Sequence, residues 1–121
     1  MSMTILTVDD SNSVRQMVRF TLNKAGYDVI EASDGRDAIT KSHSRPVDMV
    51  ITDLHMPHMD GIELIRNMRS TRQTRYVPII MLTTETQQDK KTQGKTAGAT
   101  GWIVKPFTPE QLLSVVRKVL G

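Results

Sequence analysis

The sequence predicts a doubly wound α/β domain with a parallel sheet. Short β-like runs alternate with helical segments five times along 121 residues. Strands that alternate with helices run parallel, because each helix carries the chain back across the sheet. The later strand runs are short and mostly apolar, as expected of strands covered on both faces. The length matches one domain spanning residues 1–121.

Each element has a local cause. Thr4–Val8 reads as the first strand. Ser13–Ala25 reads as the first helix, with Ser13 as N-cap, Gln16 completing a capping box and Gly26 as the stop. Val14, Met17, Val18, Leu22 and Ala25 form its apolar stripe. Tyr27–Ala32 is the second strand. Asp34 caps a helix over Gly35–Ser44, which turns Ala38 and Ile39 inward, and Pro46 blocks its continuation. Val47–Thr52 is the third strand. Asp60 caps the third helix, whose Ile62, Ile65 and Met68 recur every third residue. Val77–Thr83 and Gly101–Val104 are the last two strands. Thr108 as N-cap, Pro109 at N1 and Gln111 at N3 open the final helix, with Leu112, Leu113, Val116, Val119 and Leu120 facing the core. The fourth helix is the exception. Thr86–Thr96 holds no apolar residue and includes Gly94, so it reads as a loosely held element able to shift.

Composition excludes several functions. There is no cysteine, which removes disulfides, zinc–thiolate sites and cysteine nucleophiles. The longest apolar run is Ile79–Leu82, too short to span a bilayer. The N-terminus lacks a basic-then-apolar leader pattern, so a cytoplasmic protein without membrane association is expected. Net charge is +3, from 16 basic and 13 acidic residues. Residues 1–60 carry an acidic excess and residues 61–121 a basic one, which suggests two different surfaces. Arg66, Arg69, Arg72 and Arg75 read as a solvated helix side and loop. Aromatic residues make up only 4%, so no nucleic-acid partner is expected.

Chemistry collects at the carboxyl ends of the strands, where open parallel sheets bind ligands. The first strand ends in Asp9–Asp10, the third in Asp53, the fourth in Thr83–Thr84 and the fifth in Lys105–Pro106. If the first and third strands are neighbours, their carboxylates fall within several ångströms, since strands lie ~4.8 Å apart. Two unit charges 4 Å apart repel by about 4 kcal/mol at an effective dielectric of 20. Protonation or a bound cation relieves this, and hard oxygen ligands suit Mg²⁺.

The set Asp9–Asp10, Asp53, Thr83 and Lys105–Pro106–Phe107, with Met56–Pro57–His58–Met59–Asp60–Gly61 after the acceptor, resembles the receiver domain of two-component response regulators, of the CheY-like single-domain kind. The resemblance covers the whole chain. It implies the flavodoxin-like strand order 2-1-3-4-5. It implies Asp53 as phosphoacceptor, a carboxylate that attacks phosphorus. It implies Mg²⁺ held by Asp10, Asp53 and the backbone carbonyl of His55, with Asp9 acting through the metal's waters. Lys105 and Thr83 would each contact a phosphoryl oxygen, and Lys105–Pro106 would be cis. Expected partners are a histidine kinase of the CheA type and an output protein, such as a flagellar motor switch or a phosphatase. A monomer is expected. The chain stops after the fifth helix with no output domain, so a stand-alone receiver in chemotaxis is the expected role, with a phosphorelay or pilus-motility receiver as alternatives.

Two positions depart from the pattern. Trp102 stands where the family usually has tyrosine or phenylalanine, a residue that turns inward when Thr83 moves toward the phosphate. Two readings are open: a switch residue that re-packs and shifts the fourth helix with Lys90, Lys91 and Lys95, or a packed strand aromatic. His55, two residues after the acceptor, would stand at the mouth of the site. An aspartate-nucleophile phosphohydrolase is the rival of another class; such enzymes typically place a second acid where His55 stands. His55 and His58 as transition-metal ligands are disfavoured by Pro57 between them, and His43 reads as exposed.

Overall fold

A computed structural model describes residues 2–84 and 88–121. The order is β1 (Thr4–Val8), α1 (Asn12–Lys24), β2 (Asp28–Ala32), α2 (Gly35–Ser44), β3 (Met49–Asp53), α3 (Gly61–Ser70), β4 (Ile79–Thr83), α4 (Gln88–Ala97), β5 (Gly101–Val104) and α5 (Pro109–Leu120). All strand pairs are parallel, in the order β2-β1-β3-β4-β5. The predicted architecture and strand order are therefore those observed.

The sheet separates two apolar layers. Leu6, Val8, Val50, Ile79 and Met81 face α2 and α3, meeting Ala38, Ile62, Ile65 and Met68. Ile5, Ile51, Ile80, Leu82 and Ile103 face α1 and α5, meeting Val18, Leu22, Leu112 and Val116. Alternation along each strand feeds both layers, which is why β1, β3 and β4 are buried on both sides.

Most helix starts follow their predicted caps. Asp34, Asp60 and Thr108 accept from the N–H groups of Asp37, Glu63 and Gln111, and Gln111 completes the reciprocal box. The first helix differs. Its cap is Ser11, whose hydroxyl accepts from Val14 N–H, and not Ser13. The two serines lie side by side, and the tight turn after Asp9 gives Ser11 the extended backbone a cap needs. Strands β2, β3 and β4 begin one to two residues later than predicted. Tyr27, Val47 and Val77 still pack against the core but precede the ladder.

Helix α4 has almost no apolar face, yet it is anchored. Gly94 is buried directly on the Met81 side chain, where a Cβ would collide. Arg69, predicted to be solvated, instead donates to the carbonyls of Gly98, Thr74, Arg75 and Val77. It ties the end of α3 to the turn after α4. Burial lowers its pKa from the usual arginine range. The predicted start of the fourth helix, Thr86, lies outside the described residues.

Candidate functional site

Register builds the site. Val8 pairs with Thr52 across β1 and β3, so Asp9 and Asp53 leave neighbouring strands at the same level. Carboxylate oxygens of Asp9, Asp10 and Asp53 all lie within 4.8 Å of one another. Asp9 is fully buried, Asp53 half-buried and Asp10 exposed. Lys105 reaches across from the end of β5. Its Nζ is 3.0 Å from Asp53 Oδ1 and 3.4 Å from Asp9 Oδ2. The Lys105–Pro106 peptide is cis, as the resemblance implied. The Lys105 N–H donates to the carbonyl of Thr83 at 2.6 Å, joining the ends of β4 and β5.

The electrostatics follow. Burial, reinforced by the Asp53 charge, raises the Asp9 pKa above the ordinary carboxylate value, although the Ser11 N–H bond at 2.9 Å and Lys105 oppose it. Burial pushes Lys105 downward, but its bonds and charge contacts with Asp53 and Asp9 outweigh that and hold it above the usual lysine value. One lysine thus faces three acids. The donors are all hard carboxylate oxygens on one side of a shallow site, a set that fits Mg²⁺.

Thr83 closes β4 with 1% exposure, and its hydroxyl has no hydrogen-bond partner among the described residues. Buried hydroxyls are ordinarily paired. His55 and His58 are both exposed, and the acid group includes neither. Trp102 is 41% exposed and faces outward, with Lys91 Nζ 5.8 Å from its ring centroid.

Sequence reasoning missed three supports. Gly61 sits so close to the end of β3 that a Cβ would strike the carbonyl of Asp53, and its N–H donates to Leu54 O at 2.8 Å. His58 takes φ of 71° in a three-residue turn closed by Met59 N–H on the Pro57 carbonyl at 2.8 Å. Arg15 donates to the backbone carbonyl of Asp9. The glycine after an acidic cap was a visible signal for the first; the other two involve backbone carbonyls, which carry no residue identity.

The arrangement defines a class first: an open parallel α/β fold with an acid group and an opposed lysine at its carboxyl edge. The response regulator receiver domain matches residues 5–117. The chain is 40% identical to the chemotaxis protein CheY1 of Helicobacter pylori over 121 residues, covering 98% of each chain. Its fold superposes on the chemotaxis response regulator CheY4 of Vibrio cholerae with a TM-score of 0.94 and 49% identity, covering 98% of this chain and 99% of that one. It is also 36% identical to the transcriptional regulatory protein PhoP of Bacillus subtilis, where it spans 99% of this chain but only 49% of the relative. The chain belongs to the response regulator receiver family. Proteins of this family are regulators, not metabolic enzymes, and they work with histidine kinases and output partners. No helix among the described residues is long and apolar enough to cross a membrane.

Proposed function

We propose that the chain is a single receiver domain, residues 1–121, that takes a phosphoryl group on Asp53 from a histidine kinase and thereby changes its binding to a chemotaxis partner. The observation that carries this reading is the convergence of Asp53 with Asp9, Asp10 and Lys105 at one sheet edge. An Asp53 carboxylate oxygen attacks phosphorus; the new O–P bond forms as the N–P bond of the donor phosphohistidine breaks, and the departing nitrogen keeps the electron pair. Lys105 holds a phosphoryl oxygen as a point charge, and the Thr83 hydroxyl donates to another. Mg²⁺ held by Asp10, Asp53 and the His55 carbonyl, with Asp9 acting through its waters, would neutralise charge gathering on the phosphoryl group. Hydrolysis later returns the carboxylate, and His55, which is exposed two residues after Asp53, would stand at the mouth where water enters.

The switch reading gives Trp102 the reporting role. As Thr83 turns toward the phosphoryl oxygen, Trp102 leaves its outward pose beside Lys91 and α4 shifts. Near-complete coverage of CheY1 and CheY4 favours a chemotaxis output over a phosphorelay or pilus role, and a cytoplasmic setting goes with it. The test is incubation with acetyl phosphate and Mg²⁺, read by intact mass. Wild type gains one phosphoryl group and Asp53→Asn gains none. Equal uptake by both would overturn the assignment.

A further inference from the structure

Behind the acid group lies a guanidinium that the proposed chemistry does not use. Arg15, one turn into α1, has a side chain only 15% exposed. Each of its three nitrogens donates to a neighbour of the acid group. One Nη donates to the backbone carbonyl of Asp9, the other to Asn12 Oδ1 at 3.1 Å, and Nε to Glu31 Oε1 at 3.3 Å. The Asp9 N–H is meanwhile held by the Ala32 carbonyl at 3.1 Å. The backbone on both sides of the Asp9 Cα is therefore fixed. The carbonyl that Arg15 grips belongs to the peptide joining Asp9 to Asp10. Its plane sets the directions in which both carboxylates leave the chain. Glu31 offsets the guanidinium only in part, because it is shared with Arg19 Nη1 at 3.2 Å and the three groups keep one net positive charge. Net charge alone would therefore make Arg15 oppose a cation, so any benefit it brings to cation binding must come from geometry.

We propose that Arg15 is a positioning residue for a divalent cation: it locks the peptide between Asp9 and Asp10 so that the pair converges with Asp53. The inference rests on the metal reading of the acid group given above. A guanidinium fork can meet a carbonyl, an amide and a carboxylate at once, whereas lysine offers one compact charge. Groups that orient metal ligands typically change affinity about 10–100-fold when removed.

The test is calorimetric titration of Mg²⁺ into the full chain for wild type, Arg15→Lys, Arg15→Met and Arg19→Met. Urea unfolding in EDTA shows that each variant is folded during titration. Positioning requires both Arg15 variants to lose affinity by about tenfold or more, and Arg19→Met to keep the wild-type value. Wild-type affinity in Arg15→Lys, or tighter binding in Arg15→Met through loss of a positive charge, would overturn it. A variant that is merely less stable while binding Mg²⁺ as wild type does would also count against it. Should Arg15→Met not fold, Arg15→Lys decides. If wild type itself does not bind Mg²⁺, the metal reading fails first, and that result is separate from any difference among the variants.

Discussion

Two buried threonines carry the same defect for different reasons, and Thr→Val substitution separates them. Thr7 is 0% exposed in β1, and Thr83 is 1% exposed at the end of β4; neither hydroxyl has a partner among the described residues. Thr7 shares the sheet face of Ile5, opposite the face that holds Met81 and Thr83, and β3 stands between their strands. Valine matches threonine in shape and removes the unpaired oxygen. An unsatisfied buried hydroxyl costs about 1–3 kcal/mol in protein mutational data. Each Val variant should therefore stabilise the resting fold by about 1–2 kcal/mol, raising Tm by roughly 3–8 °C for a chain this size. Two strands and a face apart, the gains should add in the double variant. Urea unfolding followed by Trp102 emission and circular dichroism measures them. Function splits the pair: Thr7→Val keeps the response to Mg²⁺ with beryllofluoride, and Thr83→Val loses most of it. Loss of stability in Thr7→Val, or an intact response in Thr83→Val, would refute the reasoning.

The raised pKa of Asp9 means that its charged form is disfavoured by the fold. The native state binds that proton more tightly than the unfolded chain, so this group's contribution to stability improves as pH falls through the folded pKa toward 3.8. Asp9→Asn should accordingly be more stable than wild type at neutral pH in EDTA, with the gap closing toward pH 4; a gap that widens on acidification would contradict this. Gly61→Ala drives a Cβ into the backbone carbonyl of Asp53, which cannot swing aside as a flexible side chain would, so it should lower both the denaturation midpoint and the rate of phosphoryl uptake. Uptake at the wild-type rate would show that the end of β3 tolerates displacement. Thr108→Ala removes one half of the α5 capping box and should cost about 1 kcal/mol in urea unfolding without changing uptake at Asp53. Saturating Mg²⁺ should raise the wild-type Tm, by about 2.7 kcal/mol of added stability at a hundredfold excess over Kd, and should do so much less in Asp10→Asn.

What could be read in the residues is what side chains themselves announce. Asp34, Asp60 and Thr108 are acceptors placed just before apolar periodicity, and each caps its helix. The site was legible for a related reason. Polar residues ending apolar strands have few structural uses, and parallel topology brings their ends to one edge. The failures share a cause too. Ser11 and Ser13 offer the same hydroxyl two residues apart, and the choice rests on the turn that the Asp9 carboxylate stabilises by accepting the Ser11 N–H. Arg69 was read as a solvated charge because its acceptors are all main-chain carbonyls, and Arg15 was not singled out because its grip on the Asp9 carbonyl has no signature in side-chain identity. Val47 and Val77 have the apolarity of strand residues, but a ladder needs a partner at the same level, which tertiary register alone supplies.

The resting site carries two unmet demands at one edge. Among the described residues, three acids share one lysine, which contacts Asp9 and Asp53, and the buried Thr83 hydroxyl has no partner. On the proposed function, a phosphoryl group arriving with a divalent cation would answer both: the cation would offset the acids, and the phosphoryl oxygens would supply acceptors for Thr83 and Lys105. Neither component suffices alone, because the phosphoryl group by itself adds negative charge to the acids, and the cation by itself leaves Thr83 unpaired. On that reading, the cost of each unmet demand in the resting state would also be the source of a preference for the modified one. It would reach the surface through a short chain of bonded and packed neighbours. Thr83 and Lys105 are joined by a backbone hydrogen bond, Met81 lies two residues before Thr83 in β4, and Met81 carries both Gly94 of α4 and the strand position paired with Trp102. A helix with almost no apolar face, whose one buried residue is Gly94 and whose following turn is held by Arg69, would have little apolar packing to break if that strand end moved.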